Sequence, residues 1–145
     1  MLTRWFAVLL VALALIAAPV QAGAPDYSLS ISAVSAANTI VTLTIPAGTG
    51  NVFHQLLSVT VDTGCTAAIV GTAVLTVTTT NMPGSLAWSF GDACAIGSTN
   101  HQVGFYPGPV GPISSVAATA TTIVCPATGA TGICRITATY RFVQP

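Results

Sequence analysis

Thr39-Ile40-Val41-Thr42-Leu43-Thr44-Ile45-Pro46-Ala47-Gly48-Thr49-Gly50-Asn51 alternates apolar and hydroxyl side chains and then stops. Val41, Leu43 and Ile45 share one face, and Thr42 and Thr44 share the other. A period of two is that of a strand with one face in a core and the other in water. The Pro/Gly/Asn cluster from Pro46 to Asn51 breaks the pattern as a loop.

The same alternation extends in both directions from this segment. Upstream, Tyr27, Leu29, Ile31 and Ala33 face one way and Ser28, Ser30 and Ser32 the other. Downstream, a long strand places Phe53, Gln55, Leu57, Val59 and Val61 on one face, with His54, Leu56, Ser58, Thr60 and Asp62 opposite. Ala73 to Thr80 is β-branched and Thr-rich. Asn81-Met82-Pro83-Gly84 reads as a turn, with Pro presetting φ and Gly permitting positive φ. Leu86, Trp88 and Phe90 alternate after it. Gln102 to Tyr106 is a short strand stopped by the Pro/Gly loop 107–112. Ala117 to Val124 reads as a strand buried on both faces or as a flexible edge. The last strand sets Ile136, Ala138, Tyr140 and Phe142 against Arg135, Thr137, Thr139 and Arg141.

About eight strands at this spacing, with no helical pattern after residue 22, predict an all-β antiparallel β-sandwich. An eight-stranded jelly roll is the preferred topology. An immunoglobulin-like sandwich is the rival, and it fits poorly because Trp88 stands only six residues before Cys94. There is no internal repeat or interdomain linker, so residues 23–145 are expected to form a single domain.

The N-terminal segment has a different character. Arg4 precedes an unbroken apolar run from Trp5 to about Ala18, followed by Pro19 and Val20-Gln21-Ala22. That is the layout of a secretory signal peptide, residues 1–22, entering as a signal helix and cut after Ala22, or alternatively after Ala24. The apolar run is short of the ~20 residues that span a bilayer. Membrane contact is expected only through this segment, and only if it is retained as an anchor. The expected location is secreted, periplasmic or cell-surface.

Cysteine usage agrees with export, because disulfides persist in oxidising compartments. Cys65, Cys94, Cys125 and Cys134 allow three pairings. Cys125 and Cys134 flank a turn-rich segment, where a bridge would staple a hairpin mouth and leave Cys65 to pair with Cys94. The other two pairings remain open. No C-x-x-C is present, so a redox or zinc motif is not expected.

Charge is nearly absent. Beyond residue 22 there are two arginines (Arg135, Arg141), three aspartates (Asp26, Asp62, Asp92) and no lysine or glutamate. Nucleic-acid binding requires a basic footprint, which this composition excludes. Catalysis is equally poorly provided for. His54, Ser58 and Asp62 recur every fourth residue on one strand, but at ~3.3 Å per residue neighbours stand about 13 Å apart, too far for a triad. Ser85, His101 and Asp92 are the remaining arrangement, with no G-x-S-x-G elbow to support it. His54 and His101 read as surface or strand-end residues. Together with Asp62 and Asp92 they lack metal-ligand spacing. We expect no enzyme, no cofactor and no metal.

Alternating aromatics are usually core residues, and Phe53, Trp88, Phe90, Tyr140 and Phe142 are assigned there. Phe105 and Tyr106, next to the Pro/Gly loop, are the candidate contact residues. The Thr ladders Thr76, Thr78, Thr80 and Thr119, Thr121 read as solvated sheet surface able to make lateral contacts. Lys does not guard the edge strands, which favours self-association as a trimer or larger assembly. A glycan or a cell-surface protein is the alternative partner.

Several segments also resemble a known group: Ala36 to Ala47, Phe53-His54, Val77 to Ser85, Ala118 to Val124 and Arg135 to Tyr140. Together they are similar to small all-β proteins of bacteriophage and environmental viruses. The resemblance implies a virion structural component, such as a decoration or tail-associated jelly roll. It carries no catalytic motif.

Overall fold

A computed structural model describes residues 27–71, 73–96, 101–105 and 111–144, with residues 101–105 as backbone only. The signal segment, Tyr106 and most of the loop 107–112 lie outside the described residues, as does the Phe105 side chain. Among the described residues there is no helix.

Two antiparallel sheets make up the molecule. One has the order β1 (Leu29–Val34), β8 (Gly132–Val143), β3 (Phe53–Cys65) and β6 (His101–Phe105). The other has the order β2 (Val41–Ile45), β7 (Thr121–Cys125), β4 (Val74–Thr79) and β5 (Ala87–Gly91). The chain changes sheet at every connection except β4 to β5. The sheets stack in a sandwich-like arrangement because each strand carries one apolar stripe that only the other sheet can cover.

The shared interior comes from both sheets. Val41, Leu43, Ile45, Val77, Ile123 and Cys125 on one side meet Leu56, Val59, Val61, Cys134, Ile136, Ala138 and Tyr140 on the other. Ile45, Leu56, Val59, Val61, Ile123 and Ile136 are fully enclosed. Each such side chain contributes about 1.5–3 kcal/mol by leaving water. Met82, in the turn after β4, plugs one margin of this core, and Leu86, Trp88 and Phe90 lean on it from the β5 edge.

Several expectations from the sequence need correction. β7 is neither buried on both faces nor an edge: it lies between β2 and β4 and alternates buried and half-buried residues. β3 does not hold one phase. Leu56 faces Tyr140 and Ser58 faces Thr139, so Leu57 is an extra residue in the ladder. A bulge of this kind reverses which residues point inward. Before it, His54 and Leu56 point into the core; after it, Val59 and Val61 do. β8 keeps its phase throughout, with Phe142, Tyr140, Ala138 and Ile136 opposite those four residues.

Both disulfides pair as expected, Cys65–Cys94 and Cys125–Cys134. They are consistent with an oxidising environment. Cys125–Cys134 does not close a hairpin mouth, however. β7 and β8 belong to different sheets, and the bond crosses the interior between two fully buried sulfurs. It therefore clamps the sandwich across its thickness, at the end where Val41 pairs with Cys125. Cys65 closes β3 near the same end and fastens the segment that pairs Ile69 with Cys94.

Replacing Cys125 and Cys134 together with alanine should lower unfolding free energy by about 2–5 kcal/mol in urea titrations. Thr139→Ala on the outer face of β8 should stay within roughly 0.5 kcal/mol of the parent protein.

Candidate functional site

Opposite the disulfide end, the bulge turns the His54 imidazole into the interior, where 1 % of the residue remains exposed. This corrects the surface or strand-end reading. The ring bridges the two sheets. Its Nε2 lies 2.8 Å from the Pro46 carbonyl oxygen at the end of β2. Its Nδ1 lies 3.0 Å from Thr121 Oγ1 at the start of β7. A carbonyl can only accept, so Nε2 carries the hydrogen; Nδ1 then accepts from the threonine hydroxyl. Both nitrogens are satisfied in the neutral ring.

Burial pushes the His54 pKa below its ordinary value of 6.5, and the Pro46 carbonyl offsets part of that shift. An imidazole so occupied is a structural bridge, with neither nitrogen open to a substrate.

Aromatic rings continue the bridge outward. Tyr140 meets His54 edge-on at 6.0 Å, and Phe142 lies 5.3 Å from His54 at a tilt of 49°. Tyr140 and Phe142 form a further T-shaped pair at 5.7 Å. Burial also raises the Tyr140 phenol above its ordinary pKa. Phe142, assigned to the core from its alternation, is 42 % exposed. Its inner face rests on His54 and its remaining surface forms part of an open hollow.

That hollow, of ≈ 360 Å³, is lined by Ala47, Gly48, Thr49, Val52 and Phe142. The sequence shapes it locally. Pro46 ends β2, and Gly50 takes a positive φ of 66°. Gly48 lies so close to Val52 that a β-carbon there would stand 2.7 Å from Val52 Cγ1. Only glycine lets the loop lie that near Val52. Thr49 brings the lone hydroxyl among otherwise apolar lining side chains. Such a surface can hold an alkyl group or stack a ring against Phe142, but it presents no acid, base or nucleophile.

The flank of His54 is fixed by the segment 111–119. The His54 N–H donates to Ser114 Oγ at 3.0 Å, and the Ser114 N–H donates to the His54 carbonyl at 2.7 Å. Gln55, on the outer side of β3, is buried because this segment covers it. Its Nε2 donates to the Gly111 carbonyl, and its Oε1 accepts from Arg141 Nε at 2.6 Å. Asn81 holds the far part of the segment. Its amide nitrogen donates to the Val116 and Thr119 carbonyls, and its oxygen accepts the Val116 N–H at 2.8 Å. Its φ of 54° is one that asparagine adopts more readily than most residues.

The other candidate groups are scattered. Ser58 and Asp62 point to the outer face, away from His54, so these three residues do not even share a side. Asp62 stands opposite Arg135 in the ladder. Asp92 accepts the Ala73 N–H at 3.1 Å beyond the β4–β5 pair. His101 opposes Thr63 at the start of β6, and Phe105 opposes Val59 at its end, both described as backbone only. Tyr106 lies outside the described residues. Among the described residues no group of three His, Cys, Asp or Glu could hold a metal ion. The Leu56-Leu57 doublet was the one sequence signal for the inward histidine, since two adjacent apolar residues interrupt a period of two.

No family model matches the chain, and no curated protein matches it.

A histidine whose folded pKa is lowered makes the unfolded chain take up the proton first as pH falls. Stability should be complete above about pH 6.5 and decline below it toward the folded pKa, with a slope of at most ~1.4 kcal/mol per pH unit for this one group. His54→Phe should cost about 1–3 kcal/mol at pH 8, by stranding the Pro46 and Thr121 oxygens. It should also flatten the part of the decline that the imidazole causes, measured by urea titration from pH 8 to pH 5. Asn81→Gly keeps the backbone conformation and removes the side-chain bonds; a loss of roughly 1–3 kcal/mol is expected.

Proposed function

We propose that the chain is a secreted structural subunit that acts by assembling through its sheet faces and edges, and that it is not an enzyme. The observation that carries this reading is the character of its exposed β-surface. From Tyr27 to Val61 there is no charged residue, and that run supplies β1, β2 and most of β3. The outer face of the β2-β7-β4-β5 sheet is rows of hydroxyls, with no charged side chain on its strands. Thr76 meets Ser89 at 2.7 Å and Thr80 meets Thr122 at 2.7 Å across neighbouring strands. Such a face meets another surface without like-charge repulsion or the desolvation of an ion.

The strand order β1-β8-β3-β6 over β2-β7-β4-β5 supports an eight-stranded jelly roll as the finer topology. That architecture occurs in viral capsid proteins and in lectins, and it does not decide between them. The resemblance to small virus proteins favours a virion decoration or tail-associated role. A second reading, an extracellular module for a glycan or protein ligand, draws support from the hollow against Phe142.

Light scattering behind size-exclusion chromatography on the oxidised chain beginning at Gly23 separates the two. A trimer or larger particle is the expected result. A clean monomer across the micromolar range would contradict the assembly reading and favour the binding module.

A further inference from the structure

β1 is the outermost strand of its sheet, with β8 its one neighbour among the described residues. The Ser35 N–H donates to the Cys134 carbonyl at 2.8 Å, in register with the β1–β8 ladder that runs from Leu29 opposite Tyr140 to Val34 opposite Arg135. Bonded positions alternate in an antiparallel ladder. Ala33, Ile31 and Leu29 therefore exchange bonds with β8, while Ser30, Ser32 and Val34 turn their backbone N–H and C=O groups outward.

The edge has none of the usual guards: Leu29-Ser30-Ile31-Ser32-Ala33-Val34 contains no charge, no proline and no bulge. Its core-facing side is also unfinished. Leu29 is 41 % exposed, and Ile31 and Ala33 are only half-buried. β2, packed beside it on the same side of the molecule, has its apolar residues already enclosed.

We propose that β1 pairs with β1 of a second copy of this chain, antiparallel about a two-fold axis through Ser32. This rests on the assembly reading above and assigns it a surface. In that register Ser32 faces its own counterpart and Ser30 faces Val34. Each outward donor then meets an outward acceptor, which is the self-complementarity that a two-fold interface requires. The two sheets become one continuous sheet, and Leu29, Ile31 and Ala33 gain cross-strand neighbours that extend the core layer. No charge on the strand opposes the approach of an identical copy. Six residues a side is fewer than the roughly 20–30 of a standard interface. The pairing is therefore weak and concentration-dependent in isolation, and suited to reinforcement by neighbours in an array.

Ser32 is exposed, so changing its side chain leaves the protomer intact. Sedimentation velocity over a range of concentrations should be run on the parent chain, on Ser32→Lys, on Ser32→Asp and on an equal mixture of the two variants. Circular dichroism confirms that each variant keeps the parent β-signal. The expected result is a concentration-dependent step in the parent that joins two copies on the way to the larger particle. That step should weaken by roughly fivefold or more in each variant, because like charges then stand directly opposite, and return in the mixture. A parent that assembles while both variants assemble equally well would overturn the β1 pairing and leave the assembly reading standing. A parent that stays monomeric at every concentration would overturn both.

Discussion

The hydrogen bonds that join the His54 ring to Pro46 and Thr121 hold the end of the sandwich that neither disulfide reaches. Two stacked sheets attract one another through apolar area, which is strong but non-directional. Something must also fix their separation and alignment. At one end the Cys125–Cys134 bond does so between β7 and β8, with Cys65–Cys94 close by. At the other end a neutral imidazole reaches from β3 to the termini of β2 and β7. The aromatic rings of Tyr140 and Phe142 pack around it. The same low dielectric that strengthens these bonds penalises a protonated ring.

One extra residue makes this arrangement possible. Had β3 kept its phase past Leu57, the sequence would have placed either His54 and Leu56 or Val59 and Val61 in the core, never both pairs. The bulge admits both. It also leaves Gln55 facing outward under the 111–114 segment, where Gly111 and Arg141 satisfy its amide. The hollow beside Phe142 follows from the same end-closure, because the 46–52 loop must turn tightly after its Pro46 carbonyl is held by His54. A near-absence of charge then leaves copies of the molecule with weak mutual repulsion.

Strand existence was legible in the sequence, and the cysteine spacing favoured the observed pairing among the three without excluding the others. Alternation is a local property, and turn residues punctuate it. Val41-Thr42-Leu43-Thr44-Ile45 could hardly be anything but a half-buried strand. What was not legible depended on tertiary register. A period of two predicts faces only while it is unbroken, and the Leu56-Leu57 interruption reversed the assignment of His54 and Gln55. The role of Cys125–Cys134 was misjudged for a related reason: a turn-rich segment between two strands looks the same whether they pair in one sheet or cross to opposite sheets. Phe142 looked like core because it alternates with Tyr140. Its position near the end of β8, past the reach of the opposite sheet, exposes it instead. The hollow was invisible because its shape comes from Gly48 approaching Val52, a close contact that no period encodes.

The His54 bridge is tested most directly by long-range ¹H–¹⁵N correlation NMR of the histidine rings between pH 8 and pH 5. The His54 ring should be neutral, with hydrogen on Nε2 and acceptor character at Nδ1. Its Nε2 hydrogen should exchange slowly and its titration should be shifted below 6.5. A His54 ring that averages between tautomers, exchanges rapidly with water and titrates like a free imidazole would contradict the bridge. The end of the sandwich would then have to be closed by packing alone.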